Sequence, residues 1–198
     1  MLHLPNDQKP TEAFEGALVQ YLASGRTNLR FVYFPSHANF GVAQLERTVD
    51  LRDITVRGQL SLSGLHFKGD LLISGTVDPI VLSQSTVDGK LDIRVLNTTT
   101  LEAPGTKLRQ GFILEVGQIS TVNLRRAELA GSTIFRGRFQ GRVFFDDASV
   151  DGTLDLCECI FEQQPNFPRT LFSANTKLLL LGVESRTILN LQEIHYPI

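Results

Sequence analysis

The sequence has little of three features that often indicate a function: cysteine, long apolar runs and an excess of charge of one sign. Its 198 residues include two cysteines, and 19 basic against 21 acidic residues give a formal charge of −2. A chain this close to neutral produces no general field that would attract nucleic acid or an anionic membrane. We therefore expect neither of them as a direct partner.

The apolar runs and the first residues also lack a membrane signal. The longest apolar run, LLLLGV at 178–183, is far shorter than the ~20 residues that cross a bilayer as a helix. The opening residues, MLHLPNDQKP, do not show a basic region followed by an apolar one, as a Sec signal would. Two cysteines without such a signal favour a reducing compartment. We expect a cytoplasmic protein, with delivery by a specialised secretion system left open.

The residue types that carry catalysis or bind metals are present but poorly arranged. The four histidines are scattered: His3, His37, His66 and His195. None has a second ligand at metal spacing, and the phosphate-binding motif GxxxxGK[ST] does not occur. Cys157 and Cys159 should point to opposite faces of a strand, which makes Cys159 a small core residue. We predict no catalytic residue, no cofactor and no bound metal.

The feature that the sequence does have is a period of five. In VNLRRAELAGSTIFRGRFQG, residues 122–141, four apolar residues are spaced five apart: Leu124, Leu129, Ile134 and Phe139. An α-helix repeats every 3.6 residues and a strand every two, so neither explains this spacing. The period continues from Leu62 to Phe161, which is 99 residues in 19 steps, or about 5.2 residues per step.

A step of five with two inward side chains describes one short side of a coil. The second inward residue lies two positions earlier, where large and small residues alternate, with exceptions at Leu65 and Leu96. Two kinds of side require an even number of sides, and four sides give about 21 residues per coil. We predict an all-β solenoid, a quadrilateral parallel β-helix of about five to six coils over residues 49–161. One inner column should contain Leu62, Leu82, Leu124 and Phe145.

The charged residues provide an independent test of this register. Stacking the coils every four steps places nine opposite charges above one another and no like charges. The pairs are Arg57–Asp78, Lys68–Asp88, Asp88–Arg109, Asp70–Lys90, Arg94–Glu115, Lys107–Glu128, Arg125–Asp146, Arg126–Asp147 and Arg136–Glu158. Each exposed pair contributes only ~0–1 kcal/mol, so the ladder specifies register more than it stabilises the fold. We interpret its carboxylates as a paired face and not as a two-carboxylate active site.

The residues at 122–135, VNLRRAELAGSTIF, resemble the signature of the pentapeptide-repeat family. In that signature a small residue and Asp or Asn precede a central Leu or Phe, as in Val122-Asn123-Leu124 and in VDLRD at 49–53. The resemblance covers about 115 residues, from Val49 to near Phe161. It implies a right-handed quadrilateral β-helix in a bacterial protein that binds other macromolecules. Residues 95–107 depart most from the motif, and we expect a bulge or an irregular coil there.

The two ends of the repeat region should differ. Residues 1–48 contain an amphipathic pattern at 11–24, with Thr11 as N-cap, followed by a strand at 29–34. We interpret the helix as a cap on the first coil, with a partner-binding helix as the alternative. Residues 162–198 begin with a proline-containing loop and continue as one more incomplete coil or a hairpin. This apolar C-terminal segment also suggests a homodimer.

The sequence favours a non-enzymatic interaction module that binds a protein partner. A flat-sided rod has no cleft of the kind that enzymes need. In the register above, Arg138 and Arg142 have no acidic neighbour and Arg136 lies close to them, so these three arginines are the candidate partner-binding residues. They could contact a phosphate, a carboxylate or an acidic partner, or they could be ordinary solvated arginines.

Two alternatives follow from known families. One branch of the pentapeptide-repeat family mimics DNA and acts on DNA gyrase, which needs an acidic rod, whereas residues 49–161 carry 14 acidic and 12 basic residues. The other alternative is a filament of bactofilin type, whose glycine-rich GDL runs resemble residues 69–71. The predicted cap argues against a filament, because a covered end cannot add another rod.

Overall fold

The structure of the protein, a computed structural model, describes residues 10–40, 43–187 and 194–195. These residues form a parallel β-solenoid of about 7 turns, with one short helix at its N-terminal end. The predicted fold class is therefore confirmed. The expected five to six coils were too few, because stacked strands extend beyond residues 49–161 at both ends.

All the strands pair in parallel, and most are only two or three residues long. In chain order they are β1 Tyr33–Phe34, β2 Ala38–Asn39, β3 Gln44–Leu45, β4 Val49–Val56, β5 Leu60–Ser61, β6 His66–Phe67, β7 Leu71–Thr76, β8 Ile80–Val81, β9 Thr86–Val87, β10 Leu91–Glu102, β11 Lys107–Leu108, β12 Phe112–Asn123, β13 Glu128–Phe139, β14 Val143–Phe144, β15 Ser149–Asp155, β16 Cys159–Phe161, β17 Thr170–Phe172, β18 Lys177–Leu179, β19 Glu184–Ser185 and β20 Ile194–His195. The long strands run around a corner of the coil and so belong to more than one side.

The pairing registers divide the coil into four sides, which we name A to D. Side A contains residues 28–30, 49–52, 71–74, 91–94, 112–115, 133–136, 154–157 and 177–181. Side B contains 33–34, 55–56, 76–77, 97–99, 118–120, 138–140, 159–161 and 184–185. Side C contains 38–39, 60–61, 80–81, 101–102, 122–123, 143–144 and 166. Side D contains 44–45, 66–67, 86–87, 107–108, 128–129, 149–150, 170–172 and 194–195. We number the coils first to eighth by their segments on side A.

The core is a set of apolar columns that run along the inside of the tube. Leu62, Leu82, Leu124 and Phe145 are fully buried, and their backbone N–H groups bond to carbonyls of the next coil. Phe145 in turn stacks on Phe167, with ring centroids 4.8 Å apart. The predicted column is confirmed, and it continues into the segment that follows residue 161.

Some inward positions were predicted wrongly because the sides differ in length. From Gly75 to Ile80 the chain takes five steps, whereas the stacked segment from Val95 to Leu101 takes six. The extra residue reverses the alternation of side chains, since a one-residue slip moves every side chain to the other face. Leu96, predicted inward, is consequently among the most exposed apolar residues.

The same effect operates where the longer side ends. The pairing of β12 with β13 shifts register between Val116 and Gln118. Before that shift Thr133 pairs with Phe112 and Phe135 with Leu114, so Thr133 and Phe135 point inward and are buried. The predicted inward residues Ser132 and Ile134 are not buried. Residues 95–107 do contain an extra residue relative to the coil before them, as expected for an irregular segment, although β10 then pairs regularly with β12.

The corner between sides C and D explains the alternation of large and small inward residues. Six successive coils place a residue with a left-handed backbone there: Gly64, Gln84, Gly105, Arg126, Asp147 and Arg169, with φ between 54° and 69°. From the third coil on, the residue that follows the corner is small and buried: Ser85, Thr106, Ala127, Ala148 and Thr170. Two of these residues make hydrogen bonds with their hydroxyl groups at the corner: Ser85 and Thr106 both donate to the carbonyl of Leu82, at 2.5 and 2.7 Å.

The N-terminal end of the tube is covered by helix α1, Thr11–Ala23. Phe14, Leu18 and Leu22 are buried, and the Phe14 ring meets Phe34 of the first coil edge-on at 5.4 Å between centroids. The helix begins one position earlier than expected, because Pro10 is the N-cap and makes no side-chain cap bond; the prediction of Thr11 as N-cap was wrong. The strand expected at 29–34 is limited to β1, since Phe31 has φ 60° and turns a corner.

The C-terminal end continues the solenoid. β18 and β19 stack in parallel on β15 and β16, and β20 stacks on β17. Of the two predicted arrangements, the described residues therefore form the incomplete coil and not the hairpin. The inward residues of this eighth coil, Leu178, Leu180 and Val183, are only partly buried.

Candidate functional site

The three candidate arginines do not converge on one site. Arg136 lies on side A, Arg138 on side B, and Arg142 follows the corner that leads to side C. They were grouped because they are close in sequence, but a coil places residues a few positions apart on different sides. Each of them therefore has to be considered with its own neighbours.

Arg136 is held in a two-pronged ion pair. Its Nη2 lies 2.7 Å from Asp155 Oδ2 and its Nη1 lies 3.0 Å from Asp155 Oδ1, while Nη1 also donates to the carbonyl of Phe135. The hydrogen bonds from Arg136 lower the pKa of Asp155 to about 2. The predicted partner Glu158 was wrong, because Glu158 occupies a corner with φ 60° and is displaced from the row above Arg136.

Arg138 also has an acidic partner, contrary to the prediction. Its Nη1 lies 2.9 Å from Glu162 Oε1, and Arg186 Nη1 lies 3.7 Å from Glu162 Oε2. The pair was missed because residues 162–198 were treated as lying outside the repeat region, whereas Glu162 follows β16 on side B. Arg142 is exposed and forms no ion pair among the residues that the structure describes. Of the three, only Arg142 has a guanidinium available for a partner.

Four of the nine predicted charge pairs form ion pairs. They are Asp88–Arg109 at 3.1 Å, Arg94–Glu115 at 3.1 Å, Lys107–Glu128 at 2.7 Å and Arg125–Asp146 at 3.5 Å. The other five do not, and in three of them one member pairs elsewhere: Asp147 with Arg169, Lys68 with Glu46 and Arg136 with Asp155. The sides are thus covered by local ion pairs of alternating sign.

The two cysteine thiols both have a raised pKa. Burial raises the pKa of the Cys159 thiol to about 12, and a hydrogen bond with Asp155 raises the pKa of Cys157. Both thiols are therefore protonated near neutral pH and are poor nucleophiles. As predicted, Cys159 is buried in the core and Cys157 lies on the outer surface. His66 Nε2 lies 2.7 Å from Asp88 Oδ2, within the ladder on side D.

The grooves on the sides are lined by groups that already have partners. One, of about 370 Å³, lies on side A and is lined by Arg52, Leu72, Ile73, Ser74, Asp92 and Arg94. Arg52 Nη2 is 2.6 Å from Asp50 and Arg94 Nε is 2.8 Å from Asp92. Within the described part of the chain, no three histidine, cysteine or acidic side chains come together as a metal site would require.

The eighth coil presents the apolar end of the tube. Its inward residues Leu178, Leu180 and Val183 have no further coil above them among the described residues of sides A and B, and Leu179 is exposed on its outer face. Leu171 is exposed on side D of the seventh coil, where β20 stacks on β17. We call residues 171–183 the end coil. The run KLLLL was the sequence signal for it, and at the opposite end α1 covers the core, as the pattern at 11–24 predicted.

The comparisons with known proteins leave the family open. The chain matches no protein-family model, no curated protein and no solved structure. The likeness to pentapeptide repeats thus remains a resemblance carried by the residues quoted above. The helix that the structure describes is too short and too polar to cross a membrane.

Proposed function

We propose that the protein is a non-enzymatic module that binds a protein partner, and that the end coil is the surface it uses. The observation that carries this proposal is the apolar end coil, where Leu171 is 56% exposed and Leu179 43%. Apolar side chains gathered at one end of a rod are stabilised when a partner removes them from water. The homodimer expected through residues 162–198 is one such arrangement, and it belongs to this proposal.

The arrangement of the charged groups supports binding over catalysis. Acids that could serve as general bases, such as Asp88 and Asp155, are held by arginines at 3.1 Å or less. The cysteine thiols are protonated, for the reasons given above. A catalytic cysteine needs a lowered pKa, whereas the hydrogen bond with Asp155 raises the pKa of Cys157.

The two alternative functions are less well supported. A DNA mimic needs continuous rows of negative charge, whereas each side here alternates acidic and basic residues in ion pairs. A head-to-tail filament needs two open ends, whereas Phe14, Leu18 and Leu22 of α1 cover one of them. We therefore propose neither.

The experiment is affinity capture from a bacterial lysate with quantitative mass spectrometry. The wild type is compared with two variants. Leu171→Lys/Leu179→Lys adds two positive charges to the end coil, and Arg142→Glu reverses the charge of an exposed residue outside it. We expect a partner that is retained by the wild type and Arg142→Glu and lost from the double variant. Partners retained equally by all three proteins would rule out the end coil, and partners lost only from Arg142→Glu would transfer the role to the arginine.

A further inference from the structure

The most exposed apolar side chains of the described residues lie along one corner of the solenoid. Phe31, Leu96 and Leu181 are 65%, 75% and 82% exposed, more than any other large apolar residue there. Phe31 lies at the corner between sides A and B in the first coil, Leu96 at that corner in the fourth, and Leu181 beside it in the eighth. We call this line the A/B corner. Apolar residues scattered singly are normal, but three on one line along the whole rod indicate a contact surface.

Between these side chains the A/B corner is narrow. Its remaining positions include Gly75, Gly117 and Gly137, where a Cβ would run into the backbone of the preceding coil. Leu96 lies next to Gly117, and a Cβ added to Gly117 would come within 3.0 Å of Leu96 Cδ1 and 2.5 Å of its carbonyl oxygen. The Leu96 side chain therefore already lies against Gly117 of the next coil, towards the middle of the rod.

Phe31 in the first coil and Leu181 in the eighth lie equally many coils from the midpoint between the fourth and fifth coils. A two-fold axis between the fourth and fifth coils exchanges the fourth coil with the fifth and the first with the eighth. A second copy related by this axis runs antiparallel to the first. Phe31 then meets the partner's Leu181, and the two copies of Leu96 meet at the axis. Two-fold interfaces of this kind use the same patch on both subunits.

The charges next to the corner fit the same axis. Arg94 and Glu115 occupy equivalent positions on side A in the fourth and fifth coils, with Nη1 and Oε2 3.1 Å apart. The axis brings Arg94 opposite the partner's Glu115, so the four side chains alternate in sign. Asp53 would approach the partner's Glu158, but Asp53 is neutralised by Arg30, whose Nη2 lies 2.8 Å away.

We propose that a second copy of this chain binds along the A/B corner as an antiparallel, two-fold dimer. Leu96 forms the centre of the interface, and Phe31 with Leu181 forms each end. This dimer shares Leu181 with the end coil, but its centre is Leu96, which lies in the fourth coil and outside the end coil. The two can therefore fail separately.

The first test measures the association of the full chain by sedimentation equilibrium. The wild type should reach twice its mass of 22.0 kDa as concentration rises. Leu96→Asp should raise the dissociation constant at least about tenfold, since central apolar residues carry most of an interface. The matched control is Val19→Asp, at an exposed apolar residue of α1 that belongs to neither surface, and it should leave the constant unchanged. A wild type that stays monomeric, or a dimer lost in Val19→Asp and kept in Leu96→Asp, would overturn the proposal.

The second test is disulfide trapping, which reports the orientation. In a Cys157→Ser background, Leu96→Cys should crosslink to its own copy, because the two leucines lie on either side of the axis. Phe31→Cys and Leu181→Cys should each fail to crosslink alone and should form a mixed dimer when combined. Crosslinking of Phe31→Cys with itself would indicate parallel copies and contradict the proposed axis. Absence of any crosslink under the same oxidation would contradict the interface.

Discussion

At the scale of single residues, the interior of the tube accepts a hydroxyl where a carbonyl is within reach. Thr106 donates to the carbonyl of Leu82 at 2.7 Å, and Thr170 donates to that of Phe145 at 2.8 Å. Thr133 is equally buried, yet its Oγ1 has no hydrogen-bond partner. A buried hydroxyl without a partner has lost its hydrogen bonds to water and makes none in the protein, which destabilises the folded state.

This difference predicts opposite effects of the same substitution. Thr133→Val removes an unpaired hydroxyl at nearly constant volume and should raise the free energy of unfolding by about 1 kcal/mol. Thr106→Val breaks a bond and leaves the Leu82 carbonyl with one partner fewer, so it should lower that free energy by about 1 kcal/mol. Urea denaturation of both variants measures the difference. A lower free energy of unfolding in both variants would show that the hydroxyl of Thr133 does make a hydrogen bond.

The ion pair of Asp155 with Arg136 predicts a dependence of stability on pH. The pKa of Asp155 is lowered in the folded protein to about 2, below the ~3.9 of an unfolded chain. A lowered carboxyl pKa stabilises the fold above the unfolded value, and that stabilisation is lost as the pH falls from about 4 to about 2. Asp155→Asn should therefore be less stable than the wild type at neutral pH, with the gap closing over this window.

The control for this prediction is Arg136→Gln, which breaks the same pair from the other side. It should reproduce the loss at neutral pH and the convergence in acid. Denaturation curves collected at several pH values measure both variants. A gap between Asp155→Asn and the wild type that stays constant down to the acid limit would mean that the pair does not lower the pKa of Asp155.

At the scale of elements, the corners are the parts of the coil that differ most in their tolerance of side chains. Gly105 has φ 65°, and a Cβ there would meet only Gln84 Cγ, at 3.6 Å. The same corner holds Gln84 and Arg126 in other coils, so it accommodates side chains at the expense of a left-handed backbone. At Gly137, by contrast, a Cβ would lie 1.7 Å from the carbonyl oxygen of Val116.

Alanine at these two glycines should consequently have very different effects. Gly105→Ala should lower the free energy of unfolding by about 1–2 kcal/mol, the value for a left-handed residue with a side chain. Gly137→Ala has to move the backbone of the neighbouring coil and should lower it by at least about 3 kcal/mol. Thermal and urea denaturation compare them. Equal losses at the two positions would show that the coils can separate locally at little cost.

The helix α1 contributes to the stability of the tube through the residues that it buries. Phe14→Ala removes a ring packed on Phe34 and should lower the free energy of unfolding by about 3–5 kcal/mol. Val19→Ala changes an exposed residue of the same helix and should stay within about 0.5 kcal/mol of the wild type. If both variants unfold together with the wild type, α1 does not act as a cap.

At the scale of the whole molecule, the fold was predictable because its repeat is regular over many coils. The column of Leu62, Leu82, Leu124 and Phe145 depends only on the spacing of apolar residues, and a coil of about 21 residues explains that spacing. The errors arise where a side gains one residue. Hydrophobicity does not tell which of Val95 and Leu96 points inward, because both are apolar.

The surfaces were less predictable for the same reason. The A/B corner was not predicted, because Leu96 had been assigned to the core and Phe31 to a strand. Arg138 was assigned no acidic neighbour, because Glu162 lay beyond the predicted end of the repeat. Exposure and pairing depend on the register between coils, and one extra residue changes that register for every position that follows on the side.

The cap also determines how the rod can assemble. An uncovered coil presents free backbone N–H and C=O groups as well as apolar side chains, and such edges pair with other strands.

Deletion of residues 1–25 removes α1, which ends at Ala23, and exposes the first coil. A first coil and an end coil open at opposite ends can stack head to tail, and an interface of that kind does not close on itself. The truncated protein should therefore form oligomers whose size grows with concentration, whereas the full chain should stop at a dimer. Sedimentation velocity and electron microscopy of both proteins measure this difference, and the double variant Leu171→Lys/Leu179→Lys in the truncated chain should suppress the growth. A truncated protein that stays as small as the full chain would show that the coil edges are protected without the helix.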